Sequence, residues 1–128
     1  MSEVDPGDAM DLADVFGRDC LSRNTLQNVT GRWGILALAA LNEGPYRFNA
    51  LRRRVEGVSE RMLSQTLQAL ERDGMVNRVV LESIPPKVEY SLTELGAEVA
   101  TSLHSLIDLV ENRMRDVYTA QRNYDRHH

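Results

Sequence analysis

The chain reads as a mainly α-helical domain carrying one small β-hairpin. Three observations predict this class. Helical apolar spacing governs most of residues 20–122. It is interrupted once, at 75–92, by β-branched, alternating sequence on either side of two prolines. Just before that interruption, two short amphipathic segments flank a tight turn, Glu56-Gly57-Val58. A short helix, a tight turn, a second helix and then a hairpin make a winged helix-turn-helix.

Residues 1–11 (MSEVDPGDAMD) are acidic, contain Pro6 and Gly7, and are expected to form a disordered tail. One domain is expected over 12–128. Leu12, Val15 and Phe16 predict a short docked turn. From Cys20 to Thr30 a helix is expected, with Leu26, Val29 and then Trp33 on one side. Trp33 to Leu41 (WGILALAAL) is apolar nearly all round, as a helix inside a domain should be. Trp33 is expected in the core. Asn42-Glu43-Gly44-Pro45 ends this helix.

Phe48 to Val55 is a short helix anchored by Phe48, Leu51 and Val55, with Arg52, Arg53 and Arg54 facing outward. An arginine run of this kind is either a solvated face or a set of phosphate contacts. The recognition helix is expected over 59–73. Leu63, Leu67 and Leu70 share one side at i, i+4, i+7, and Arg61, Gln65, Gln68 and Arg72 fall opposite. Ser59 is a suitable N-cap and Gly74 a suitable left-handed stop. Arginine and glutamine are side chains that pair with base edges in the DNA major groove. An ordinary solvated helix face is the alternative reading of the same pattern.

Met75 to Glu82 reads as a strand, Ser83-Ile84-Pro85-Pro86 as a turn, and Val88 to Leu92 as a second strand. Together, 75–92 form the wing, with Arg78 and Lys87 projecting from it. Thr93 caps a last helix over 93–122. Its apolar residues are Leu95, Val99, Leu103, Leu106, Val110, Met114 and Val117, spaced by alternating fours and threes like a coiled-coil seam. A single helix of this kind reaches roughly 35–40 Å, further than a small winged domain covers. Its first half is expected on its own domain and its second half against a partner chain. His104 is expected at the surface or an interface, with no second ligand at metal-binding spacing. No function is assigned to His127 and His128.

The net charge of −4 argues against a strongly basic nucleic-acid binder. The distribution argues otherwise. Residues 46–90 carry eight basic against six acidic side chains, whereas 1–45 carry three against seven. Positive charge thus surrounds the polar helix, which predicts moderate, salt-sensitive DNA binding. It also favours DNA over a purely protein-contacting winged helix. The single cysteine, Cys20, excludes an internal disulfide and a cysteine-based zinc site. There is no signal-peptide pattern and no run long enough to span a bilayer, so the protein is expected in the cytoplasm without a membrane partner. Neither a nucleophile–base constellation, a metal set nor a phosphate-binding glycine loop is apparent, so no enzyme, cofactor or metal is expected.

Several segments carry a resemblance to a known family. They are Gly31-Arg32-Trp33, Gly44 to Leu51 (GPYRFNAL), Gly57-Val58-Ser59, Met62-Leu63, Leu67, Leu70-Glu71, Asp73-Gly74 and Pro85-Pro86. Val88 to Thr93 (VEYSLT) and Leu95-Gly96 complete the set. The chain resembles the HxlR-type winged-helix regulators, relatives of the MarR type, over roughly Cys20 to Met114. The resemblance implies a homodimeric bacterial or archaeal transcription factor. Its second helix would enter the major groove, its wing would lie over the backbone or minor groove, and its terminal helices would make the dimer. Many such proteins sense electrophiles or oxidants through a cysteine placed as Cys20 is here. Three positions depart from the pattern: Leu21 follows Cys20 where proline is usual, Ala50 replaces an acid, and Gly34 replaces a hydroxyl residue.

The expected DNA-contacting residues are Arg61, Gln65 and Gln68, with Ser59, Met62 and Ser64 beside them. Arg47 and Asn49 join them from the RFN segment, and Arg78 and Lys87 from the wing. The expected dimer interface comprises Leu103, Leu106, Val110, Met114 and Val117. Cys20 is the candidate redox-sensing residue: ahead of a helix, its thiol would lie near unpaired N–H groups that favour the thiolate. Arg18 and Arg23 would assist and Asp19 oppose. An inert structural cysteine is the alternative. The expected partners are double-stranded DNA, a second copy of the chain, and a small electrophile or a non-covalent ligand.

Overall fold

The computed structural model describes residues 14–17 and 20–128. The expected tail over 1–11 lies outside these residues, as do Leu12, Arg18 and Asp19. Helix α1 spans Leu21–Thr30 and α2 spans Arg32–Leu41. Strand β1 (Tyr46–Arg47) leads directly into α3 (Phe48–Arg54), followed by α4 (Glu60–Arg72). Strands β2 (Val76–Ser83) and β3 (Pro86–Leu92) form the wing, and α5 (Glu94–Asn112) and α6 (Met114–His127) close the chain.

The core lies where α2, α4 and the start of α5 meet beneath the sheet. Leu38, Leu51, Leu63, Leu67 and Leu70 are its largest fully buried side chains. Ala37, Leu41, Val55, Met75, Val76, Tyr90, Ala100 and Leu103 pack around them. Trp33 is half-buried against this cluster, with the Arg32 guanidinium 5.3 Å from its ring centre. Leu26, expected on the buried side of α1, is instead 47% exposed. The turn before α1 is tied to it through Arg23, whose Nε donates to the Val15 carbonyl at 3.0 Å. Phe16 in that turn is exposed, so it does not dock as expected.

The expected two-stranded hairpin is a three-stranded antiparallel sheet of order β1-β3-β2. Tyr46 pairs with Tyr90 and Arg47 with Glu89, which fastens the start of α3 to the wing. The expected single helix over 93–122 is also corrected. The backbone leaves helical geometry at Arg113 (φ −110°, ψ 14°), which separates α5 from α6, and the helical structure continues to His127.

The junction between α4 and α5 is tightly constructed. Gly74 adopts φ 77°, a left-handed conformation that stops α4. Thr93 Oγ1 donates to the Gly74 carbonyl at 2.6 Å and accepts from the Gly96 N–H at 2.9 Å, capping α5. A Cβ on Gly96 would lie 1.9 Å from the Met75 carbonyl oxygen, so only glycine permits this approach.

Candidate nucleic-acid interface

Helix α4 is bounded by local chemistry. The Ser59 Oγ accepts from the Met62 N–H at 3.1 Å, and Glu60 occupies the first turn, where the helix dipole favours an acid. Leu63, Leu67 and Leu70 bury one side completely. Arg61, Met62, Gln65, Gln68 and Arg72 are exposed along the other, with Ser64 half-buried between them. Gln68 Nε2 donates to Ser64 Oγ at 3.4 Å, while Arg61 and Gln65 are exposed. The helix is thus buried on its dry side and exposed on its polar side. Ser59 lies at the same edge, but one of its lone pairs is engaged by the cap.

Arg47 and Asn49 stand exposed where β1 passes into α3, close in sequence to the exposed Arg52 and Arg53. Arg54 is committed elsewhere. Its Nη2 and Nε reach the Glu43 carboxylate at 2.7 and 2.9 Å, and the Tyr46 hydroxyl donates to Glu43 at 2.7 Å. The hydrogen bond from Arg54, aided by that from Tyr46, lowers the Glu43 pKa to about 2. On the wing, Arg78 is exposed, whereas Lys87 is half-buried and 3.5 Å from Glu82. Sequence reasoning missed the apolar character of the wing. Val79, Val80 and Leu81 are 44–52% exposed along β2, and Ile84 at the tip is 92% exposed.

The expected dimer residues divide. Leu103 belongs to the chain's own core and is 6% exposed. It was expected at an interface, and instead it joins the buried cluster of its own domain. Leu106, Val110, Met114 and Val117 are exposed, and Leu109, Tyr118 and Tyr124 extend the apolar surface. None of the residues of α6 is buried. Between α1 and α5 lies an open cavity of ≈590 Å³ lined by Leu21, Thr25, Leu26, Val99, Ser102 and Leu103 among others.

Cys20 is the N-cap residue of α1 and is buried, at 3% exposure. Its Sγ lies 2.8 Å from Ser22 Oγ. Burial works to raise the thiol pKa. The Ser22 hydroxyl and the N–H groups of Arg23 and Ser22 outweigh it, so the net shift is downward, opposed in small part by Asp14. Arg23 itself is occupied by the carbonyls of Val15 and Phe16. Among the described residues no group of three or more His, Cys, Asp or Glu side chains could hold a metal ion. Nor is any described helix long and apolar enough to cross a membrane.

A helix-turn-helix of α3 and α4, braced by a three-stranded sheet and followed by a wing, defines a winged helix-turn-helix transcriptional regulator. The chain belongs to the HxlR-like helix-turn-helix family, whose pattern it matches over residues 28–118. It is 47% identical over 117 residues to the uncharacterised HTH-type transcriptional regulator YtfH of Escherichia coli (strain K12), covering 91% of this chain and 93% of that protein. The YtfH regulator from Salmonella typhimurium has a similar structure, with a TM-score of 0.80 at 50% identity, covering 86% of this chain and 97% of that one. The oxidised form of the redox regulator HypR superposes with a TM-score of 0.65 at 36% identity, over 73% of this chain and 96% of its own. Diamide-treated YodB from B. subtilis gives 0.60 at 29%, over 70% and 89%.

Proposed function

We propose that this transcriptional regulator binds an inverted-repeat operator as a homodimer, placing the polar face of α4 in the major groove and the wing along the backbone. The observation that carries this reading is the row Arg61, Gln65 and Gln68, exposed on a helix whose opposite side is locked by three fully buried leucines. Rigid presentation of such side chains is what base-edge recognition requires. Arg47, Asn49, Arg52 and Arg53 supply phosphate contacts beside the groove, and Arg78 supplies one from the wing. The apolar surface through Leu106, Val110, Met114 and Val117 joins two copies, whose symmetry sets the inverted repeat. A cytoplasmic location is part of the same proposal. Selection of bound sites from random duplex DNA tests the reading. It should recover two related half-sites about one helical turn apart, or a multiple of that. Recovery of unrelated sequences would refute it.

A second element of the reading is control through Cys20. Its place at the N-terminus of α1 and its lowered pKa favour the thiolate that oxidants attack. The structural similarity to HypR and YodB points the same way. Cys20 is 3% exposed, so attack by an oxidant requires a local opening around it. Diamide should change operator affinity in the wild type and leave Cys20→Ser unaffected. An equal change in both would make Cys20 a structural residue.

A further inference from the structure

We infer that the hydrogen bond between Asn28 and Asp73 is a positioning latch: it ties the C-terminal end of the recognition helix to α1 and so sets the half-site separation that the dimer accepts. Asn28 Nδ2 donates to Asp73 Oδ2 at 2.9 Å, joining residues 45 apart in sequence in a partly buried position. The inference rests on the DNA-binding reading above and concerns how that reading is aimed.

Asp73 is the C-cap residue of α4, its backbone N–H turned to the carbonyls of Ala69 and Glu71. A carboxylate there is locally unfavourable, because a helix C-terminus already carries partial negative charge. It also adds an acid to a segment whose net charge is positive. A residue that breaks a local rule is where a compensating role is found. The Asn28 amide supplies the compensation by donating to that carboxylate.

The donor is itself held in place. The Asn28 carbonyl oxygen lies where a Cβ on Gly34 would be 2.0 Å away, so α1 and α2 are in backbone contact at this residue. Asn28 therefore cannot shift without moving the α1–α2 pair. On the other side of the same junction, Thr93 Oγ1 binds the Gly74 carbonyl and the Thr93 N–H binds the Met75 carbonyl at 3.0 Å. The C-terminal end of α4 is thereby fastened on two sides, to α1 and to α5. Both of those helices carry the exposed apolar residues, Leu21 and Leu26 on one and Leu106, Leu109 and Val110 on the other.

The other end of the helix is exposed by contrast, at Arg61 and Gln65. Helix α4 has 13 residues and is about 20 Å long at 1.5 Å per residue. A tilt of about 5° at its fastened end moves the reading end by roughly 1.7 Å over that length. That is about half the rise of one base pair in each half-site, enough to change the preferred separation. The latch couples the orientation of α4 to the helices through which two copies would meet.

The test is fluorescence anisotropy on operator duplexes whose half-site separation is varied one base pair at a time, with urea unfolding run in parallel. Wild type should prefer one separation by about tenfold or more. Asn28→Ala and Asn28→Asp should lose that preference to within about threefold. Asp73→Asn keeps an acceptor and should keep it. The exchange Asn28→Asp/Asp73→Asn reverses donor and acceptor and should restore it, with the acid removed from the helix C-terminus. A merely structural contact would lower the urea midpoint and leave the separation preference unmoved, and that result would overturn the inference. So would failure of the exchange to restore the preference. Wild type with no sequence preference at all would instead remove the DNA-binding reading, and this inference with it.

Discussion

Helices α4 and α6 are nearly equal in length, 13 and 14 residues, and each gathers its apolar side chains on one side. In α4, Leu63, Leu67 and Leu70 are wholly buried. In α6, Met114, Val117, Tyr118 and Tyr124 are 38–62% exposed. The pattern is shared and the outcome is opposite, because α4 lies over α2 and the sheet while α6 projects past Arg113 beyond the domain. Amphipathic spacing specifies that a helix needs a partner; the chain path decides whether the same molecule supplies it. The protein thus has a braced winged head and an arm whose apolar side is exposed.

The largest expected effect falls on the arm. Replacing Val110 and Met114 together with aspartate should give monomers by sedimentation. Linked half-sites gain roughly 10²–10⁴-fold over single ones, and operator affinity should fall by about that factor. A persistent dimer would break the comparison. Next comes the head, where Leu67→Ala removes a side chain that is 1% exposed. Chemical denaturation should show a loss of about 2–5 kcal/mol, as for other buried leucines. The same truncation at Leu109, 57% exposed, should act through association and make the melting temperature more dependent on protein concentration.

A smaller effect is expected at the wing. Arg78→Ala should weaken all DNA sequences alike and reduce the salt slope by about 1. Lys87→Ala should do less, since Lys87 already faces Glu82. The smallest concerns pH. The Arg54 and Tyr46 hydrogen bonds hold Glu43 at about 2, below its ordinary 4.5. A depressed carboxyl stabilises the fold fully above that ordinary value and loses its contribution as pH falls toward 2. Both side chains are about half exposed, so solvent screens the pair and the effect is modest. Arg54→Ala should flatten the stability profile between pH 4.5 and 2, measured by urea midpoints across that range.

Local chemistry explains what was legible in advance. Ser59, the Leu63–Leu67–Leu70 spacing and Gly74 are short-range signals, and each has its expected role in α4. What was hidden depends on contacts distant in sequence. Strand β1 has two residues, too few to show alternation, and exists through pairing with Tyr90 and Glu89. Asn28 and Asp73 are ordinary polar residues until the fold brings them to 2.9 Å. The seam of the last helix is uniform in sequence, yet Leu103 is buried in the core and Leu106 is 47% exposed one turn later. Arg113 interrupts the helix with no glycine or proline to announce it.

On the proposed reading, the exposed polar side of α4 meets base edges. The most direct measurement is the affinity of Arg61→Ala and Gln65→Ala for a selected operator and for unrelated duplex DNA at fixed salt. Each variant should lose about 1–3 kcal/mol on the operator and change little on unrelated DNA, so that the specificity ratio collapses. Folded variants that retain wild-type affinity for the operator would contradict that reading.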